Sequence, residues 1–462
     1  MNGATTPNVT KWCDELKFNR FHGLVLTLAG LTLIFDGYDS QIIAYIMPQI
    51  LKEWHLSPLK VGSIASYGFV GLMIGAAGFG MIADRIGRKT TLMLALLIFS
   101  LFSGLAYFAP NFTIFCLFRF LAGLGMGGAM PLTITLVSEF APARIRGKAV
   151  TAMFGGFTFG WAVAALVAMI FIPLFGWRIV LLMGFLPILF LPVLKWLLPE
   201  SIRFLAGKGR YDEAISELRK VEKGARVTPI EWMKENFALP SAQPSGSIGQ
   251  LFTSKLAVMT ILVWLTYFFN LLIVYGLATW LPSLLVKAGF SIVRSYSYGL
   301  IQAMGASVGG LFLGLLMDRF GRKSALVMTY LLGGISVWLF GVVSNNVALY
   351  IAGAATGIFI IGAQIAQHVV AGEIYPTHVR STGVGWALTV GRFGSIVGPL
   401  LGGFLQMAGF SFSQYFIVFA IPCFICMVLV MFYRVNVKGE ALETVAVKLT
   451  GGSPAGASAK LI

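Results

Sequence analysis

Two carboxylates, Asp36 and Asp39, stand in the middle of the first long apolar stretch of this chain, which runs from Gly23 to Met47. A stretch of that length crosses a bilayer as a helix, which takes roughly 20 residues. Asp36 then lies about 20 Å along the helix axis, well inside the hydrocarbon. Asp39, one turn on, shares its face. A charge at that depth costs about 2.5–3.5 kcal/mol on insertion scales, and intramembrane acids mark proton and ion pathways. Two side by side repel each other and titrate as a coupled unit. That is the chemistry of a proton carrier. The alternative is a structural acid paired with a membrane arginine.

Cations of matching depth occur elsewhere. Arg119 lies about seven residues into the fourth apolar stretch, where an unpaired guanidinium is costly. It must face the bundle interior, opposite an acid or a substrate carboxylate, whose two oxygens suit its fork. A permanent pair with Asp36 or Asp39 is one reading. An exchangeable pair is another: protonating the acid would free the arginine for an anion and so couple proton to substrate. Arg392, inside the eleventh stretch with no acid in its own span, is the alternative carboxylate ligand. Asn270, Gln302, Gln364, Gln367 and His368 are further polar groups inside spans, each taken singly more often a helix–helix hydrogen bond than a ligand.

The elements that must position these groups follow from composition. The chain has 462 residues, 57% hydrophobic and 11% charged, against about 25% charged in average soluble domains. No soluble protein of this size could hide that apolar surface, so a polytopic membrane protein is expected. The apolar runs are continuous rather than alternating, which points to helices and not a barrel. The net charge of +16 fits basic loops of a membrane protein better than nucleic-acid binding. Cys13, Cys116, Cys423 and Cys426 read as packing residues, and no metal or cofactor site is expected. The first apolar run is too long for a signal-peptide core and should persist in the mature protein.

Twelve spans are expected, at about 23–47, 61–82, 91–109, 112–136, 148–172, 178–198, 256–281, 295–317, 324–343, 347–372, 381–407 and 412–434. One set of loops holds Arg85, Arg88, Lys89, Arg144, Arg146, Lys148, the 199–255 stretch, Arg319, Arg322, Lys323 and Arg380. The other holds only Lys52, Lys60, Arg178, Lys287 and Arg294. The basic set should be cytoplasmic, and with it both termini. The expected organisation is a tail at 1–22, a six-helix bundle at 23–198, a central loop at 199–255, a second bundle at 256–434 and a tail at 435–462. The central loop carries an amphipathic pattern over Arg210–Lys223 and a linker-like run at 240–248.

The halves repeat. Gly80-Met-Ile-Ala-Asp84-Arg85-Ile-Gly87-Arg88-Lys89 answers to Gly314-Leu-Leu-Met-Asp318-Arg319-Phe-Gly321-Arg322-Lys323, 234 positions on. Glu139-Phe-Ala-Pro142-Ala-Arg-Ile-Arg146 answers to Glu373-Ile-Tyr-Pro376-Thr-His-Val-Arg380 at the same offset, as do Pro48 to Pro282, Gly123 to Gly357 and Asp36 to Asn270. One offset over this length marks a duplicated six-helix unit. Parallel repeats with a site between them near the midplane imply alternating access.

The G-x-x-x-D-R-x-G-R-K loop after span two and its echo after span eight resemble the signature of the major facilitator superfamily. Arg119-Phe-Leu-Ala-Gly-Leu-Gly-Met-Gly-Gly in span four and Leu198-Pro199-Glu200-Ser201-Ile202-Arg203-Phe204-Leu205 after span six fit it too, with Ile202 where proline is usual. Asp36-Gly37-Tyr38-Asp39 and Tyr275-Gly-Leu-Ala-Thr-Trp280-Leu-Pro282 resemble the aromatic acid:proton symporters of that superfamily. The resemblance covers nearly the whole chain and implies an all-α fold of two pseudo-symmetric six-helix bundles in an inner membrane. It implies proton-coupled import of benzoate- or hydroxybenzoate-like carboxylates by a monomer. In superfamily members the acid matching Asp84 latches the two halves. Arg88, Glu139 and Arg146 would complete its network, with Asp318, Glu373 and Arg380 as counterparts in the second half. A role merely in fixing topology is the alternative for the basic residues.

Under that resemblance Asn270 could bond a ring hydroxyl and His368 could relay protons. Tyr38 and Tyr275, with Tyr67, Phe157, Trp161, Trp264, Tyr267 and Trp386, are flat apolar partners for a ring, although aromatic residues also gather at lipid interfaces. Competing readings are a symporter of a non-aromatic acid such as muconate, an efflux transporter, or a transporter-like sensor. A channel lacks its filter loop here. A membrane enzyme lacks a metal-ligand pair or a nucleophile–base motif in the spans.

Overall fold

The computed structural model describes residues 8–228, 230–237, 247–253, 256–343, 345–376 and 379–433. The expected tail at 435–462 and most of the linker at 240–248 lie outside the described residues. Among the described residues the chain is helical, with no strand. A short helix α1 (Val9–Glu15) leads into α2 (Arg20–Glu53), α3 (Pro58–Ile86), α4 (Arg88–Leu105), α5 (Phe112–Phe140) and α6 (Arg146–Phe175). Helices α7 (Ile179–Leu182) and α8 (Leu186–Leu197) continue through a 3-10 turn as one span, followed by the polar α9 (Ile202–Gly207) and α10 (Tyr211–Ala225). The second series is α11 (Ala257–Lys287), α12 (Ile292–Phe320), α13 (Arg322–Val342), α14 (Asn346–Thr356), α15 (Gly362–Ile374), α16 (Arg380–Met407) and α17 (Phe412–Met431). Helices α14 and α15 form one span, joined by a π turn at Gly357–Ile361.

Twelve of these stretches are long and apolar enough to cross a membrane, and the protein is a multi-pass membrane protein. Several run past the apolar limits expected from sequence. Helix α2 covers 34 residues, about 50 Å at 1.5 Å per residue. A helix continues through polar flanks until side chains take over its unpaired N–H groups, and those caps are present. Asn111 accepts from Ile114 N at the start of α5. Ser291 does the same for α12, and Ser411 with Gln414 forms a capping box on α17.

Two compact units result: Met1–Ile42 with Tyr67–Ala242, and Ile43–Ser66 with Gln243–Ile462. The hairpin Ile43–Ser66, the end of α2 and the start of α3, therefore belongs to the second unit. There Ser66 Oγ donates to Ile396 O at 2.7 Å, and the Tyr296 hydroxyl donates to Tyr45 O at 2.5 Å. Within the second unit Tyr267, Tyr330, Tyr375, Tyr433 and Cys426 share one buried cluster.

The repeat read from sequence extends to contacts. Arg146 Nε donates to Ala141 O at 3.3 Å, and Arg380 Nε to Tyr375 O at 3.2 Å, 234 positions on. Gly87 and Gly321 both turn the chain with positive φ, +101° and +85°, between consecutive spans, a conformation that needs glycine. A Cβ on Gly123 would lie 2.1 Å from Gly68 O, and one on Gly357 would lie 2.1 Å from Gln302 O, the same pair of positions in each repeat. Helices touch there backbone to backbone, as small residues allow in membranes.

Gly123→Ala should therefore force α5 away from α3 and cost about 1–3 kcal/mol, the usual size of overpacking. Gly78→Ala, on α3 with open space around it, should cost little. Thermal unfolding of the purified protein in detergent compares the two, and equal midpoints would contradict the close contact.

Candidate functional site

Asp39 and Arg119 meet. The Arg119 Nη1 lies 2.8 Å from Asp39 Oδ2 and donates to Oδ1 at 3.0 Å, while Nη2 donates to the Asp39 carbonyl at 3.4 Å. Both residues are 2% exposed. Helix α2 presents Asp39 and α5 presents Arg119. Gly68 on α3 lies beside the guanidinium, where a Cβ would stand in ordinary contact 3.8 Å from Nη2. Arg119 Nε has no hydrogen-bond partner among the described residues. The neighbouring turn is braced: Trp161 Nε1 donates to Ser40 Oγ at 3.1 Å, and Ser40 Oγ donates to Gly37 O at 2.9 Å. Asp36, one turn earlier, is buried as well. Sequence left the partner of Arg119 open between Asp36 and Asp39; the geometry selects Asp39. Tyr38 is committed elsewhere, its hydroxyl donating to Val180 O at 2.8 Å.

In the second unit the polar groups converge from three helices. Tyr267 OH and His368 Nδ1 are 2.7 Å apart, and Arg392 acts electrostatically on His368. Asn270, one turn beyond Tyr267 on α11, is fully buried and donates from Nδ2 to Ile360 O at 3.4 Å, while its Oδ1 has no partner. Ile360 lies in the π turn, a distortion often found at functional sites. Gln364, four residues beyond Ile360 and four before His368, is half-buried. Among the described residues Arg392 has neither an acid partner nor a hydrogen-bond acceptor. Gln302 donates to Thr356 at 3.4 Å, Gln367 accepts from Tyr330 at 3.1 Å, and Tyr275 is buried on α11. Of the aromatic candidates, Trp264 and Trp386 stack on each other at 6.1 Å, and Tyr67 is 46% exposed.

The charged loop residues divide into separate groups. Asp84 reaches Arg88 at 3.6 Å with its side chain 76% exposed. The N-terminus of α4, a few residues on, is occupied by Glu200. Glu200 Oε1 accepts from Arg88 N at 2.8 Å, Lys89 N at 3.1 Å and Ser201 N at 2.8 Å. Three N–H donors on one carboxylate oxygen suit an anion at a helix N-terminus. Glu139 bonds Ser201, and Arg146 bonds Asp14 of α1. In the second unit Arg322 bridges Asp318 at 2.9 Å and Glu373 at 3.2 Å. Glu200 and Ser201 were visible in sequence only as motif letters, and Asp14 gave no signal at all in its polar tail. Beside Asp14, burial first and that carboxylate second push the Cys13 thiol up to about 12. Glu222 on α10, also unmarked by sequence, is buried under Trp232 Nε1 at 2.8 Å and Ile230 N at 3.0 Å.

A family model described as "Sugar (and other) transporter" matches residues 25–449. The chain is 37% identical over 433 residues to the niacin transporter NiaP of Acinetobacter baylyi, covering 94% of this chain and 98% of that one. It is 37% identical over 424 residues to the gallate transporter of Pseudomonas putida, covering 90% of this chain and 93% of that one. Among solved structures, the inward-open xylose transporter XylE of E. coli matches with a TM-score of 0.74 at 19% identity, over 92% of this chain and 99% of that one. That likeness speaks to the fold.

Arg119→Gln should strand the Asp39 carboxylate in low dielectric and cost about 3–5 kcal/mol. Adding Asp39→Asn should recover most of that loss, because two neutral amides replace the pair. Chemical or thermal unfolding of the single and double variants in detergent measures it. A single variant as stable as the parent would show that the pair is not held in a dry site.

Proposed function

The chain belongs to the sugar (and other) transporter family of the major facilitator superfamily and groups there with the aromatic acid:proton symporters, and from that premise we propose that it imports aromatic carboxylates together with protons. The observation that carries the reading is the membrane-buried Arg119–Asp39 pair, with Asp36 one turn away.

The pair supplies a coupling rule. With Asp39 ionised, the guanidinium is satisfied and the empty carrier can cross between its two states. Protonation, with Asp36 as the entry point, removes the attraction and leaves a cation in hydrocarbon, which is expensive. A substrate carboxylate repairs that imbalance. The protein then moves empty, or with proton and anion together, but not with a proton alone. Alternating access carries the loaded site from one side to the other. The carboxylate is taken by Arg392, which has no acid partner among the described residues, so the anion restores the total charge that protonation of Asp39 removed rather than pairing with Arg119 itself. Asp84, Arg88, Glu139, Arg146, Asp318, Glu373 and Arg380 act as gates, and the exposure of Asp84 supports an acid that changes partners. The excess of lysine and arginine on one set of loops supports an inner-membrane orientation with both termini cytoplasmic.

Uptake of labelled gallate, benzoate and nicotinate into proteoliposomes tests the proposal. A pH gradient equivalent to 100 mV supports about 50-fold accumulation when one proton moves with one carboxylate, an electroneutral step that a membrane potential does not drive, and a protonophore should abolish it. Asp39→Asn imitates the protonated acid, so it should lose uphill accumulation and keep exchange of internal for external substrate. Accumulation insensitive to the protonophore would overturn proton coupling. Transport of none of the three would overturn the aromatic-acid reading.

A further inference from the structure

The two relatives named above differ in what their substrates carry on the ring. Nicotinate has a ring nitrogen, a hydrogen-bond acceptor. Gallate has ring hydroxyls, which donate. We propose that this chain is built for the second kind: Asn270 Oδ1 accepts a hydrogen bond from a ring hydroxyl while Arg392 holds the carboxylate. The proposal rests on the aromatic-acid reading and sharpens it.

Four observations carry it. First, Asn270 is fully buried, yet its Oδ1 has no partner among the described residues. Buried amides are almost always satisfied, so an orphan at a membrane midpoint marks a group waiting for a donor. Second, the orientation of that amide is fixed. Nδ2 donates to the carbonyl of Ile360, and a flipped amide would set oxygen against oxygen. The open atom is therefore the acceptor. Third, the carbonyl that fixes it belongs to the π turn Gly357–Ile361, so the distortion of this span is tied to the amide's aim. Fourth, a cation lies nearby. Gly391, beside Arg392, packs on the Tyr267 turn: a Cβ there would sit 3.2 Å from Tyr267 Cβ. Arg392 acts on His368, and Tyr267 meets His368 at 2.7 Å. Tyr267 and Asn270 are three residues apart and share one helix face.

The site thus has a cationic end and an acceptor end. A hydroxybenzoate satisfies both. Benzoate leaves Asn270 Oδ1 unpaired, and nicotinate can bring a lone pair against it. A site that bonds a substrate hydroxyl rejects analogues lacking it far more strongly than an apolar pocket rejects a missing methylene.

The test needs the unaltered protein first. In proteoliposomes, 3- and 4-hydroxybenzoate compete for uptake against their own methyl ethers, 3- and 4-methoxybenzoate, and against benzoate and nicotinate. The ethers keep the oxygen and remove the donor. At least one hydroxy acid should compete roughly tenfold or more better than its ether and than nicotinate. Asn270→Leu should then weaken that hydroxy acid to the level of its ether, and the thermal unfolding midpoint of the purified variant in detergent checks that it folds. Arg392→Gln should weaken all the acids alike. Equal competition by ether and hydroxy acid, or preferred uptake of nicotinate, overturns the assignment of Asn270. Absence of transport of every acid in the unaltered protein would instead overturn the reading on which it rests.

Discussion

An arginine in hydrocarbon must have an anion, and the arrangement of this protein follows from how that demand is met. Water solvates neither partner at the depth of Arg119 and Asp39, so their mutual attraction is strong and their separation is costly. The rest of the first unit serves this contact. The α5 backbone reaches α3 through Gly123, and Trp161 fixes the turn that carries Asp39 through Ser40. The pair is a structural requirement of the first unit.

The second unit inherited the same frame without the same charges. At the repeat offset, Asp36 becomes Asn270, Asp39 becomes Ile273 and Arg119 becomes Gly353. The backbone contacts survive duplication to within a few tenths of an ångström, as the arginine-to-carbonyl bonds of Arg146 and Arg380 show. Divergence is concentrated in the polar groups. Among the described residues, one repeat keeps a buried ion pair and the other keeps a cation without an acid partner, a histidine–tyrosine contact and an amide with an open oxygen. Duplication lets each repeat carry its own set of polar groups on a shared backbone frame.

Much of this was legible in the amino-acid sequence because membrane folding is strict. Continuous apolar runs give the twelve spans, since backbone polar groups in lipid must pair within their own helix. Depth alone singled out Asp36, Asp39, Arg119 and Arg392, because a charge there is too costly to be accidental. Pairing was harder. Nothing in the spacing chooses Asp39 over Asp36 for Arg119, since one helical turn separates them and the choice depends on how α2 and α5 face each other. Glu200 could not be recognised as the cap of α4, because a chain segment more than a hundred residues later returns to that helix end. Asp14 sits in a polar stretch with no periodicity to betray its contact with Arg146. Tyr38, read as a flat partner for a ring, has its hydroxyl on Val180 O, a bond that nothing in the motif announces.

The π turn in the tenth span has a consequence for how such carriers change their cargo. A π turn holds one residue more than the α-helical turn it replaces, and one residue is about 100° of rotation. Everything after Gly357–Ile361, including Gln364 and His368, is thereby phased against everything before it. A one-residue deletion in this turn would keep the span's hydrophobicity and its packing at either end, yet swing a different row of side chains toward Tyr267 and Asn270. Selectivity in this fold can therefore be re-dialled by a frame-preserving gain or loss of a single codon, a change that a residue-by-residue comparison of binding sites between relatives would miss.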